Sequence, residues 1–337
     1  MDTTVWLIVW LILGLAALTV GAEILVRGAS QLAVRIGISP LVVGLTVVAF
    51  GTSAPEFVVS LGAALKGEAD VAIGNVVGSN ICNVLLILGV SAIIVALPVS
   101  TQLLRFDLPI MILVSAIVWA MCYDKSLSRI EGAGLALGIV IYTVWNVMAS
   151  RWKTKREAAA LEAQAIADGE TVEEVVHSGW WGVILNSILV GVGLVFLATG
   201  ADWFIDSAVT LALSLGVSQL VIGLTLVAVG TSLPEIFTSI IAAIRGQQDI
   251  AVGNVVGSNI FNILCVLGVS SVASTTGIAV SGDALTRDFP VMFAVALLCI
   301  PVFVTGHRIS RGEGLLFLMG YIGYTSYLIY TAPAVAG

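Results

Sequence analysis

GLTVVAFGTSAPE (Gly44 to Glu56) and, a little later, GNVVGSNICN (Gly74 to Asn83) decide how this chain is read, because both return. The second copies are GLTLVAVGTSLPE (Gly223 to Glu235) and GNVVGSNIFN (Gly253 to Asn262), and every matched position is separated by one step, 235 − 56 = 179 residues. Each copy sets a glutamate directly after a proline inside a run that carries no other charge. A charge at the centre of a membrane helix costs about 2.5 to 3.5 kcal/mol on insertion scales, so a retained one marks a functional position.

The surrounding composition makes the membrane the solvent. Of 337 residues, 59% are hydrophobic and 10% charged, and the mean hydropathy is +1.09, far from the values of a soluble globular domain. Uncharged runs such as Val71 to Leu104 and Ile250 to Gly282 exceed the roughly 20 residues that cross a bilayer as a helix. Strands of a barrel would be shorter and would alternate, so helices are expected. The net charge of −7 is spread along the chain, the segment 151–178 contributing 4 − 6 = −2 of it, and no basic patch suggests nucleic acid. Cys82, Cys122, Cys265 and Cys299 lie in apolar segments at non-equivalent places in the two copies, which indicates neither a disulfide framework nor a metal knuckle. The first segment has Asp2 where a signal peptide has basic residues, so it is read as a retained helix.

Counting apolar runs gives ten candidate helices, at about 5–26, 37–66, 70–98, 106–123, 131–149, 180–205, 216–244, 249–273, 288–305 and 313–331. Matches outside the core stretches, Gly21-Ala22-Glu23 with Gly200-Ala201-Asp202, Asp107-Leu108-Pro109 with Asp288-Phe289-Pro290, and Glu131-Gly132 with Glu313-Gly314, make the whole chain a duplication. The fold class is therefore an all-α polytopic membrane protein of ten transmembrane helices in two five-helix repeats, 1–150 and 179–337. An odd number of crossings per repeat inserts the second upside down relative to the first. Residues 151–178, opening RWKTKR and continuing through an Ala- and Glu-rich stretch, form the linker. With both termini outside, ten basic residues face the cytoplasm and four, Lys66, Lys125, Arg129 and Arg287, do not, which is the orientation the positive-inside rule favours.

Pro55 and Pro234 have no N–H to give the residue four before them, so each second helix should break there and free carbonyl oxygens. Thr52 and Glu56, like Thr231 and Glu235, are four apart and share a helix face. Ser79 and Asn83, and Ser258 and Asn262, have the same spacing on the companion helices. Carboxylates, carbonyls, hydroxyls and amide oxygens make a hard-ligand cage, suited to calcium or to sodium. Zinc or copper would call for His or Cys, and His177 and His307 lie in loops. Taken singly, the serines, threonines and glycines read as ordinary helix packing and back-bonding, but the duplicated Pro-Glu breaks with duplicated Ser-x-x-x-Asn pairs read as a site. Glu23 and Asp202, matched near the ends of the first helices of the two repeats, read as solvated acids ahead of an interfacial or gating role, Asp70 and Asp249 as helix caps, and Asp107, Asp288, Glu131 and Glu313 as helix starts.

At GTSAPE, GTSLPE and the paired GNVVGSN segments the chain resembles the calcium/cation antiporter superfamily, in its prokaryotic sodium/calcium exchanger branch. The resemblance covers all ten helices. It implies alternating-access exchange of calcium for sodium across a cell (inner) membrane, with no cofactor, and with the first helix of each repeat sliding across the rest. It also implies that Glu56, Glu235 and the Thr52 and Thr231 carbonyls hold calcium. Sodium would be held by Ala49, Thr52, Ser53, Ser79 and Glu235 and by the mirrored Ala228, Thr231, Ser232, Ser258 and Glu56, with Asn83 and Asn262 bordering the middle. Some microbial relatives carry Asp at the place of Asn262, so here only two formal negative charges stand at the centre. Proton-coupled exchange of calcium or another divalent ion is the near rival, since paired buried carboxylates also carry protons. A channel would need a continuous pore, and an intramembrane enzyme lacks any phosphate-cradling, H-E-x-x-H or nucleophile-elbow motif.

Overall fold

The computed structural model describes residues 3–167, 180–215 and 228–331. Its helices are α1 Thr3–Ile36, α2 Pro40–Thr52, α3 Ala54–Lys66, α4 Ala69–Ile94, α5 Leu103–Asp124, α6 Arg129–Ala167, α7 Trp180–Ser214, α8 Leu233–Ile244, α9 Gln248–Ala273, α10 Ala284–His307 and α11 Arg311–Thr331. Among the described residues seven of these are long and apolar enough to span a membrane, and α2 with α3 make an eighth span bent by 48°. Helix α11 and α8, the latter preceded by the helical turn Ala228–Gly230, stand at the two remaining positions of the ten expected. Residues 216–227, the expected start of the seventh helix with most of GLTLVAVG, lie outside the described residues, as do residues 168–178 of the linker.

The bend occurs where the proline requires it. Ser53 leaves the helical region with φ −82° and ψ 11°, and Pro55 sits in the first turn of α3, where its missing N–H removes nothing the helix needs. Ser232 and Pro234 repeat this at the start of α8. Gly67 and Gly246 then end the two broken helices with φ of 77° and 75°, a left-handed conformation open to residues without a Cβ.

The repeats interlock rather than sit side by side. Helix α1 runs antiparallel to α7 along a seam of close backbone approach: a Cβ at Gly21 would lie 2.9 Å from the Gly193 oxygen. Helix α4 crosses α11 where a Cβ on Gly89 would come within 3.0 Å of the Gly314 oxygen, and the symmetry-related Gly132 and Gly268 do the same for α6 and α9. Such contacts supply the van der Waals packing that drives helix association in lipid. Two short antiparallel sheets add ties between repeats. The strand β1, Leu97–Pro98, pairs with β4, Arg308–Ile309, while β2, Ser126–Leu127, pairs with β3, Ile278–Ala279. Because the repeats are inverted, these sheets lie at opposite faces of the membrane.

Several sequence readings change. The first span runs ten residues past the expected end at 26, because a buried face continues through Ala29, Leu32 and Ala33 while Arg27, Gln31 and Arg35 point away from it, and only Gly37, at φ 68°, stops the helix. Helix α6 continues through Arg151 to Ala167, and at 1.5 Å per residue its 39 residues reach roughly 58 Å, far beyond the hydrocarbon layer. Asp70 and Asp249 occupy first turns, with Glu68 and Gln247 at the cap positions. Glu131 and Glu313 do begin helices, in reciprocal capping boxes with Ser128 and Ser310. Asp107 and Asp288 begin none: each ends a turn of π-helix inside its span. Asp107 is fully buried and accepts a 3.0 Å hydrogen bond from the Tyr142 hydroxyl, whereas Asp288 pairs with Arg287 at 2.8 Å.

Candidate cation site between the repeats

Glu56 and Glu235 are each 1% exposed, and the broken helices bring them together. Each lies in the first turn after its proline, where the positive end of the helix dipole favours a carboxylate. Their hydrogen bonds cross from one repeat to the other. Ser53 Oγ donates to Glu235 Oε1 at 2.8 Å, and Ser232 Oγ donates to Glu56 Oε1 at 3.1 Å. Among the described residues neither carboxylate has an ion-pair partner.

The companion helices α4 and α9 pass beside this pair. Ser79 Oγ lies 3.5 Å from Glu56 Oε1 and 3.4 Å from Ser232 Oγ, so its hydrogen bonds group it with Ser232 and Glu56, whereas the resemblance grouped it with Ser53 and Glu235. Thr52 Oγ1 donates to Asn254 Oδ1 at 3.1 Å. Asn83 Nδ2 donates to Asn259 Oδ1 at 3.0 Å, and Asn262 Nδ2 to Asn80 Oδ1 at 3.1 Å. Ala49 is buried at the start of the last turn of α2. Ala228 opens the short helical turn Ala228–Gly230 that precedes the second break.

What remains unpartnered among the described residues decides the chemistry. Glu56 Oε2, Glu235 Oε2, Asn83 Oδ1, Asn262 Oδ1, Thr231 Oγ1 and Ser258 Oγ are all buried without a hydrogen-bond partner. Every one is an oxygen with lone pairs to offer, and an unmet buried oxygen of this kind costs about 1 to 3 kcal/mol. The amide nitrogens of Asn83 and Asn262 are occupied, which leaves their oxygens as the free ends. Such a set fits a hard cation, and two carboxylates balance one divalent charge. Among the described residues no three His, Cys, Asp or Glu side chains cluster as a metal group, so the neutral oxygens are needed to complete a shell.

The sequence reading missed the residues that hold this arrangement in place. Asn75 Nδ2 donates to the Glu56 carbonyl oxygen at 3.1 Å and to Ser60 Oγ at 2.8 Å, and Asn254 repeats the pattern with Glu235 and Ser239 at 3.4 and 3.0 Å. Asn80 and Asn259 bond across the repeats to each other's carbonyl oxygens at 3.2 and 3.3 Å. All four asparagines stand inside the duplicated GNVVGSN stretches, so the signal was their repetition. Asn83 and Asn262 also open matching π-helical turns, 83–88 and 262–267, a local widening frequent at functional sites.

A family model described as sodium/calcium exchanger protein matches residues 6–148 and again 185–330. The inner membrane protein YrbG of Escherichia coli K12 is 37% identical over 327 residues, covering 96% of this chain and 97% of its own. The sodium/calcium exchanger MaX1 of Methanosarcina acetivorans is 33% identical over 346 residues, covering 95% and 97%. A solved structure of the sodium-calcium exchanger NCX_Mj, soaked with sodium and without calcium, superposes with a TM-score of 0.80 at 31% identity, over 98% of this chain and 100% of that one.

Proposed function

The chain belongs to the sodium/calcium exchanger family, and from that premise we propose how its residues perform the exchange. It is a multi-pass membrane protein and a secondary active antiporter that moves calcium against sodium by alternating access. The observation that carries the residue assignment is the pair of buried glutamates, each anchored by a serine of the other repeat and each left with one unpartnered oxygen. One calcium ion takes both free carboxylate oxygens, with the Thr52 and Thr231 carbonyls completing its shell. Sodium takes flanking positions built on Ala49, Thr52, Ser53 and Glu235 and on Ala228, Thr231, Ser232 and Glu56. Ser79 and Ser258 each serve one of these positions, and Asn83 and Asn262 border the centre.

Calcium and sodium compete because both need the same two carboxylates. An ion held by Glu56 and Glu235 is also held between repeats, so its charge decides whether the two halves of the site stay closed around it. The repeats are taken as 1–150 and 179–337 with the 151–178 linker in the cytoplasm, which places both termini outside. That orientation leaves the ten inward-facing basic residues on the side the positive-inside rule prefers.

The test is calcium flux into sealed vesicles of purified protein under an imposed sodium gradient and, separately, an imposed proton gradient. Flux driven by sodium alone is the expected result. Flux driven by protons with no response to sodium would replace this reading with proton-coupled divalent exchange.

A further inference from the structure

The 179-residue repeat extends to two pairs of opposite charges outside the cation site, and the structure treats them differently. Glu23 in α1 matches Asp202 in α7, and Lys66 at the end of α3 matches Arg245 just past α8, since 202 − 23 = 245 − 66 = 179. Arg245 Nε donates to Glu23 Oε2 at 2.7 Å, which ties α1 to the broken helix of the second repeat. Two-fold symmetry would tie Lys66 to Asp202 in the same way. That pair is not made: among the described residues Asp202 has no ion-pair partner.

Asp202 instead faces a cavity of about 530 Å³ that runs between α7 and the two helix breaks. Its walls are apolar, with Phe50, Leu194 and Ile205 among them; it reaches Thr52 and Thr231, and among the described residues Asp202 is the one charged residue lining it. A carboxylate in low-dielectric walls concentrates cations, and Asp206 stands one helical turn further along α7. On the Glu23 side the equivalent carboxylate is neutralised by Arg245.

We infer that Asp202 and Glu23 are entry carboxylates for the exchanged cations, used in turn on opposite faces of the membrane, with Lys66 and Arg245 as the countercharges that shut each one off. This rests on the exchanger reading above. The inverted repeats make the two faces equivalent, so the other access state is this one with the repeats' conformations exchanged: Lys66 pairs with Asp202 and Arg245 releases Glu23. The unit that shifts is the α1–α7 pair, which carries both acids, is packed along its glycine seam, and is tied to α8 through Glu23. Lys66 and Arg245 stand at the far ends of α3 and α8, next to the left-handed Gly67 and Gly246, so each countercharge sits at the end of the segment that follows a break.

The first arm of the test titrates calcium on vesicles holding the full chain in a single orientation. Asp202→Asn is expected to raise the calcium concentration for half-maximal exchange by roughly fivefold from the face on which the 530 Å³ cavity opens, and to leave the other face unchanged. Glu23→Gln should do the reverse, Asp202→Glu should restore the wild-type value, and raised ionic strength from an untransported salt should shrink both effects. The second arm uses cross-linking by a short bifunctional thiol reagent, whose span matches that of an ion-paired couple of long side chains, in a chain whose four native cysteines are alanine. Glu23→Cys with Arg245→Cys should cross-link readily, and Lys66→Cys with Asp202→Cys should cross-link only in molecules where the first bond is absent. Both bonds in one molecule, or equal effects of Asp202→Asn on the two faces, would overturn the inference. Wild-type flux in the same vesicles separates the two failures: a wild type that moves no calcium refutes the exchanger reading, while the cross-linking arm still reports whether the ion pairs alternate.

Discussion

Replacing Glu56 by glutamine should abolish calcium transport, and the hydrogen bonds say why an isostere is enough. Glu56 Oε1 accepts from Ser232 Oγ and lies near Ser79 Oγ, while Oε2 is unpartnered. A glutamine keeps its oxygen where the serines donate, so its NH2 group takes the Oε2 position and turns two N–H donors toward the cation. Half of the charge that balances calcium is lost at the same time. Removing one partner of a buried charge interaction costs about 3 to 5 kcal/mol, which at about 1.4 kcal/mol per tenfold is a weakening between roughly 100-fold and 4,000-fold. Glu235→Gln should behave alike, because Ser53 fixes its Oε1 in the same manner. The assay is calcium binding at equilibrium to purified protein together with flux in vesicles, and the thermal midpoint in detergent checks the fold. That midpoint should stay level or rise, since one of two buried like charges is gone. Calcium binding within about threefold of wild type in either variant would refute the shared site.

Ser79→Ala and Ser258→Ala should each raise the sodium concentration for half-maximal exchange by roughly fivefold or more, from the 1 to 2 kcal/mol or so worth of a neutral ligand near a charge, with calcium affinity moved less; a titration of both ions checks it. Gly193→Val should lower the thermal midpoint and cut transport, because its Cβ would lie 2.8 Å from the Gly21 oxygen and 2.7 Å from the Leu25 nitrogen, and expression with normal melting would count against the α1–α7 seam. A cysteine at Lys155, exposed on the extension of α6, should be labelled by a membrane-impermeant thiol reagent only in opened cells, and labelling in intact cells would reverse the orientation.

The membrane class, the duplication and the glutamates were legible in the sequence because each depends on local letters or on their recurrence. Hydropathy measures transfer into lipid, and it counts apolar runs well. It does not say which run touches which, so the swap by which Ser53 serves Glu235 and Ser232 serves Glu56 was beyond it. Neither the 222 residues between Glu23 and Arg245 nor the burial of Asp107 against Tyr142 leaves a periodic trace. The orienting asparagines were visible in the repeated letters, but their hydrogen bonds depend on how α4 and α9 cross. The π-helical turns at Asn83 and Asn262 have no compositional mark, since they answer to packing between helices rather than to propensity.

The two short sheets set an order of assembly. Leu97 cannot meet Ile309 until the chain between them, 309 − 97 = 212 residues, has been synthesised and inserted. At 5 to 20 residues per second that is a wait of about 10 to 40 seconds. Throughout it, the first five helices sit in the bilayer with Gly89 uncovered and the edge of β1 unpaired. The first half of the molecule is thus made as a client of the second, and a ribosome that stalled after Ser150 would leave an orphan for the quality-control proteases rather than a folded half-transporter.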